Sequence, residues 1–316
     1  AHHVDASGLA LGVVAERAER SPEGTAAIIG DTPFPIEGLI AAQPRAASAV
    51  LSSNLDLALA LVRDSDPVLT PPWRILYRLI ETDPPLAAIL VIAYDRRGFG
   101  HSDKPTTGYG YDTLADDLAG LLEQLDLRDV TLVGFSMGGG EVARYIARHG
   151  QERLRSVVFA AAVPPRMMQT PDNPDGPLTV AKATAMTAQL TADREAFFDG
   201  FTRDFFSANA DGDVLVTEAE RQQAITLCLH ADKLAALEAM QSFGITDFRD
   251  DLELVTVPTL VLHGDADGIV PFEGSGKRTH EAIAGSELVL VPGAPHGLNA
   301  SHPAEFNAAL LDFLER

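Results

Sequence analysis

From residue 89 onward, short runs of branched apolar residues alternate with longer stretches in which Leu and Ala recur at helical spacing. Ile89–Tyr94, Val130–Phe135, Ser156–Val163, Pro258–His263 and Glu287–Val291 are short, largely apolar runs that read as strands, Val130–Phe135 as one buried in a parallel sheet. Between them, Tyr111–Leu125 carries Leu114, Leu118, Leu121, Leu122 and Leu125 on one face, the stripe of an amphipathic helix. Glu141–His149 and Phe272–Ala284 also read as helices, and Pro303–Glu315 closes the chain as a helix with Phe306, Leu310 and Phe313 inward. Strands alternating with helices predict a mostly parallel, doubly wound α/β sheet with helices on both faces.

Two regions depart from this rhythm. Residues 164–250 lack a strand pattern, open with the Pro-rich loop Pro171–Pro177, and are helical in period over 178–200, 217–228 and 231–243. A helical insertion between two strands predicts a cap over the carboxyl ends of the sheet. Residues 1–88 are atypical. Leu9–Arg20 and Ala46–Arg63 are Ala/Leu-rich with spaced charges and read as helices, Trp73–Glu81 as a third, and only Ala26–Gly30 as a short strand. The expected organisation is thus a core of 89–163 and 251–316, a cap at 164–250, and an N-terminal region that completes the sheet.

Composition narrows the classes. Of 316 residues, 46% are apolar, sufficient for a large core, yet no run approaches the ~20 apolar residues of a membrane helix. The first residues show no basic stretch followed by an apolar core, so no signal peptide is expected. The single cysteine, Cys228, excludes an internal disulfide and a Cys-based metal site, in keeping with a cytoplasmic protein. A net charge of −21 argues against nucleic acid or an anionic membrane as partner.

The candidate chemistry begins at Gly134-Phe-Ser136-Met-Gly138, a G-x-S-x-G between a predicted strand and a predicted helix. Such a turn exposes a Ser hydroxyl at the sheet's carboxyl edge, and the N–H of Met137 at the helix start points where an oxyanion would form. A Ser hydroxyl needs a base, and His296 in Gly293-Ala-Pro-His-Gly297 follows the last strand. The base needs an acid, and Asp265 and Asp267 both follow the preceding strand. His101, His149, His230, His263, His280 and His302 have no comparable context and read as surface or packing residues.

From Ile89 to Arg316 the chain resembles the α/β-hydrolase fold, and within it the cofactor-free bacterial haloperoxidase, arylesterase and perhydrolase family. The resemblance rests on Tyr94-Asp-Arg-Arg-Gly-Phe-Gly-His-Ser102, Gly134-Phe-Ser-Met-Gly-Gly-Gly-Glu-Val-Ala-Arg144, Ala162-Val-Pro-Pro-Arg166, Gln169-Thr-Pro-Asp-Asn-Pro174, Thr246-Asp-Phe248, His263-Gly-Asp-Ala-Asp-Gly-Ile-Val-Pro271 and Ala294-Pro-His-Gly297. It implies Ser136 as nucleophile, His296 as base and Asp267, rather than Asp265, as acid. The implied activity is cleavage of small carboxylic esters through an acyl-enzyme. Hydrogen peroxide can replace water to give a peracid that oxidises halide. No metal or organic cofactor is implied, and family members often form homo-oligomers. The alternatives are a lactone or thioester hydrolase, or a non-catalytic small-molecule binder on the same fold. The family's second oxyanion donor follows an early strand ending in His-Gly, a pair absent before His149. The corresponding stretch here is Ile28-Ile-Gly-Asp-Thr-Pro33, which places that donor at Thr32.

Overall fold

The computed structural model describes residues 12–17, 24–29, 91–100, 102–124, 126–314 and 316. In chain order the elements are β1 (Gly12–Arg17), β2 (Gly24–Ile29), β3 (Val91–Tyr94), α1 (Tyr111–Gln124), β4 (Val130–Phe135), α2 (Met137–His149) and β5 (Leu154–Ala160). Then come α3 (Val180–Ala192), α4 (Arg194–Phe206), α5 (Glu218–His230), α6 (Lys233–Ile245) and α7 (Arg249–Leu252). The chain closes through β6 (Thr259–Gly264), α8 (Gly276–Ala282), β7 (Glu287–Val291), α9 (Leu298–Ser301) and α10 (Pro303–Leu314).

The described strands form one sheet in the order β1-β3-β2-β4-β5-β6-β7. All pairings are parallel except those of β1, which runs antiparallel to both β2 and β3. β4 lies beside β2 and not beside β3, so the winding reverses there. Ligands of open α/β sheets bind at such reversals, outside the carboxyl ends of the strands. Period-two alternation divides the core between the faces. Leu132, Val157, Phe159 and Val261 join a cluster with Leu114, Leu118, Val142 and Ile146 of α1 and α2. Val133, Val158, Leu260 and Leu262 point the other way, onto Leu298, Phe306, Leu310 and Phe313. Beneath the start of α2, Glu141 is fully buried with Tyr94 and Arg96, whose hydroxyl and guanidinium donate to its two oxygens at 3.0 and 2.9 Å.

Three expectations need correction. Gly12–Arg17, inside the helix predicted over Leu9–Arg20, is strand β1, with Val13 opposite Ile28 and also opposite Ala93. The β-branched pair Val13-Val14 suits an extended chain, and pairing to two strands outweighs the local Ala/Leu bias. The helix predicted over 178–200 is two helices broken at Asp193, whose extended backbone ends α3 while its carboxylate accepts the N–H of Ala196 and caps α4. The helix predicted over 272–284 is a 3-10 turn, Phe272–Gly274, followed by α8, with Ser275 between them bonded to the carbonyl of Pro271 at 2.7 Å. The helices predicted at Ala46–Arg63 and Trp73–Glu81, and Thr32 itself, lie outside the described residues.

Candidate active site

β4 delivers Ser136 into a backbone conformation of φ 52° and ψ −122°. A non-Gly residue there is strained by about 1–3 kcal/mol and persists only where its surroundings enforce it. The enforcement is visible. Ser136 N–H donates to Ala160 O at 2.9 Å, and Ser136 O accepts from Gly139 N–H at 3.1 Å and Val163 N–H at 3.2 Å. A Cβ on Gly134 would lie 2.7 Å from the Gly138 carbonyl and from two backbone atoms of Gly139, so only Gly lets β4 and α2 meet this closely. α2 begins at Met137, four residues earlier than its apolar periodicity predicts. Met137 is therefore the first helical residue, and its N–H is one of the four that a helix leaves without an internal partner. The Tyr111 hydroxyl donates to Met137 O at 3.1 Å and pins this turn from below.

β6 and β7 supply the other two predicted side chains. His296 is fully buried, with Nε2 2.9 Å from Ser136 Oγ and Nδ1 2.7 Å from Asp267 Oδ2. The other oxygen of Asp267 accepts the N–H groups of Ile269 at 2.9 Å and Val270 at 2.8 Å. Burial disfavours charge on this carboxyl. The charge of His296 and hydrogen bonds from His263 and His296 outweigh that, and hold Asp267 well below the usual carboxylate range. Asp265 does a different job. Its Oδ1 accepts the N–H of Gly293 at 2.6 Å, and its own N–H donates to Val291 O at 3.2 Å, which fastens the loop after β6 to the loop after β7.

A cavity of about 890 Å³ is lined by Ser136 and Met137 and by apolar side chains of α3 and α4, among them Met186, Leu190, Phe197, Phe201 and Phe205. Phe197, Phe201 and Phe205 recur every four residues on one face of α4. Their rings run in series: Phe197 to Phe201 stacked at 6.0 Å, Phe201 to Phe205 at 5.7 Å, and Phe205 edge-on to the His296 imidazole at 4.8 Å. Phe135 flanks His296 from the strand side at 5.3 Å. The end of α4 is joined to both loops: Gly297 N–H donates to Phe205 O at 2.8 Å, and Asn209 N–H to Ala266 O at 2.6 Å.

The structure thus brings together Ser136, Met137, Asp267 and His296 and diverts Asp265 to a loop contact. Two features escaped the sequence reading. The density of Phe between 197 and 206 was the available signal for the aromatic wall. His263, set aside as a surface or packing residue, has Nε2 3.3 Å from Asp267 Oδ2, and its position four residues before Asp267 was the available signal. Among the described residues no three His, Cys, Asp or Glu side chains cluster to hold a metal ion, and no helix is long and apolar enough to cross a membrane.

Comparison with known proteins gives a consistent picture. The profile of the α/β hydrolase fold matches residues 73–303. A non-heme chloroperoxidase of Kitasatospora aureofaciens is 42% identical over 228 residues, covering 71% of this chain and 82% of that protein. A bifunctional esterase/perhydrolase of Acinetobacter calcoaceticus is 36% identical over 225 residues, covering 71% and 81%. Among solved structures, the bromoperoxidase from Bacillus anthracis superposes with a TM-score of 0.73 at 48% identity, over 77% of this chain and 87% of that one. An esterase from Exiguobacterium antarcticum gives 0.70 at 31% identity, over 78% and 87%.

Proposed function

Because this chain belongs to the α/β-hydrolase fold family, we propose that Ser136, His296 and Asp267 carry out its ester hydrolysis through an acyl-enzyme. The observation that carries the reading is the unbroken relay Ser136 Oγ–His296–Asp267, at 2.9 and 2.7 Å. His296 Nε2 takes the proton of Ser136 as Oγ attacks the ester carbonyl. Asp267 holds the imidazole in the tautomer that presents a bare Nε2 and stabilises it once protonated. The alcohol leaves with that proton, and water activated by His296 then frees the acyl group. When hydrogen peroxide takes the place of water, the acyl group leaves as a peracid. The peracid oxidises a halide ion to hypohalous acid and is itself reduced to the carboxylic acid. The chloroperoxidase and perhydrolase relatives support this second outcome.

The tetrahedral oxyanion rests on the Met137 N–H; the second donor that the family resemblance assigns to Thr32 lies outside the described residues. β2 lies parallel to β4, with Ile29 opposite Gly134 two residues before Ser136. The helices α3–α6 act as a cap, and their aromatic wall makes the site one for an uncharged ester with an apolar arm.

The deciding experiment is a fluorophosphonate probe with intact-mass analysis and peptide mapping. The expected result is one adduct per chain on Ser136, none on Ser136→Ala, and loss of p-nitrophenyl ester hydrolysis in that variant. A protein that binds esters but takes no adduct is a binder, and the reading fails.

A further inference from the structure

His263 is the penultimate residue of β6 and is fully buried, yet it belongs neither to the relay nor to the apolar clusters. Its Nε2 lies 2.8 Å from the carbonyl of Val270 and 3.3 Å from Asp267 Oδ2. Both neighbours only accept, since one is a carbonyl and the other a carboxylate held ionised, so Nε2 carries the proton. The other nitrogen, Nδ1, is buried without a hydrogen-bond partner among the described residues. It faces the backbone of Gly276, where an added Cβ would come within 2.5 Å of it. A buried polar atom left unpaired costs free energy, and native proteins tolerate few. The imidazole thus bears that cost at Nδ1 while its Nε2–H meets the Val270 carbonyl.

What it does follows from the loop. Val270 is three residues beyond Asp267 and gives its N–H to Asp267 Oδ1, while its carbonyl takes the His263 N–H. His263 therefore ties the end of β6 to the far end of the turn that carries the acid. The same nitrogen lies 3.3 Å from Oδ2, the oxygen that holds His296. We propose that His263 is a positioning residue for ester hydrolysis, fixing Asp267 through Val270 so that Oδ2 remains directed at His296 Nδ1. The proposal rests on the reading of Ser136, His296 and Asp267 given above. His263 touches no reacting atom and acts only through the carboxylate.

The test compares wild type with His263→Phe, which keeps a ring but removes the donor, and His263→Gln, whose amide N–H replaces Nε2–H. Rates are taken per active site, by titration with the fluorophosphonate, so that misfolded protein does not enter. One hydrogen bond of about 1 kcal/mol, expressed in the transition state, predicts a fall in kcat of about fivefold to tenfold for His263→Phe. KM should stay within about twofold of wild type, because ground-state binding is untouched. His263→Gln should recover most of the lost kcat. The far-downfield proton resonance of the His296–Asp267 hydrogen bond should shift or broaden in the Phe variant and return in the Gln variant. A purely structural role would lower the melting temperature and move neither kcat per titrated site nor that resonance, and this outcome overturns the proposal. Should His263→Phe fail to fold, nitrogen spectra of wild type still decide: a His263 ring protonated at Nδ1 and bare at Nε2 would sink it. Absence of labelling at Ser136 in wild type would instead overturn the reading of the triad, so the two failures are distinguishable.

Discussion

The main-chain N–H of Gly297 donates to the carbonyl of Phe205 at 2.8 Å, across 92 residues of sequence. The residue after His296 is thereby held by the last turn of the helix that walls the cavity. The contact has no room to spare. A Cβ on Gly297 would lie 2.6 to 2.8 Å from the rings of Phe206 and Phe205.

Gly297→Ala should therefore push α4 away from His296. Overpacking of this kind costs about 1–3 kcal/mol of stability. Turnover should fall as well, because Phe205 also backs the imidazole. Urea denaturation beside p-nitrophenyl ester kinetics checks both. A variant with wild-type stability would show that the loop absorbs the methyl group elsewhere.

The two acids of the β6 loop should separate cleanly. Asp267→Asn leaves the shape intact but favours the wrong tautomer of His296, and kcat should drop by about 10⁴, the size seen when a serine-protease triad acid is changed this way. Asp265→Asn weakens only the contact to Gly293, so the rate should stay near wild type with about 1 kcal/mol lost in stability. The reverse ranking in one rate assay would exchange their roles.

Asp267 also sets an acid limb of stability. Its carboxyl is depressed in the folded protein by His296 and His263 against the opposing effect of burial. A carboxyl depressed on folding contributes its full stability above the unfolded value, about 3.9, and loses it as pH falls toward the folded value. Wild type should thus lose stability between about pH 4 and pH 2 more steeply than Asp267→Asn. Urea midpoints across that range read the difference, and parallel curves would contradict it.

The aromatic series on α4 should govern the size of the apolar arm accepted. Phe201 sits between Phe197 and Phe205, so Phe201→Ala breaks the wall in the middle. Removing about 50–60 Å² of apolar contact to substrate, at about 25 cal/mol per Å², should lower kcat/KM for a hexanoate ester relative to acetate by about tenfold. An unchanged ratio would take the wall out of the substrate path.

The strand Val130–Phe135 has the bounds its apolar run predicts, because a strand buried on both faces must be apolar throughout and must stop where polar loops begin. Glu287–Val291 also has its predicted bounds, although as the last strand of the sheet it leaves Leu288 and Leu290 exposed. The placement of Ser136, Asp267 and His296 was legible for a related reason: each follows a strand, and parallel strands bring such loops to one edge. What was not legible depends on packing at long range. The strand at Gly12–Arg17 is set by its partners, and the break at Asp193 by whether its carboxylate meets the Ala196 N–H. Position after a strand alone left Asp265 and Asp267 equivalent and only the family resemblance favoured Asp267; in the folded loops the Asp267 carboxylate reaches an imidazole and that of Asp265 an amide.

The fastening of the β6 loop to the β7 loop has a mechanical meaning. Asp265 N–H bonds to Val291 O, Ala266 N–H to Ala294 O, and the Asp265 carboxylate to Gly293 N–H, so acid and base ride on one clamped body. Ser136 rides on the turn between β4 and α2, which is tied to β5, and β5 pairs in turn with β6. The Ser136–His296 contact spans that strand pairing, whereas the His296–Asp267 contact lies within the clamp itself. Thermal loosening should open Ser136 from His296 before it parts His296 from Asp267, so the enzyme would fall silent while its acid–base pair was still assembled.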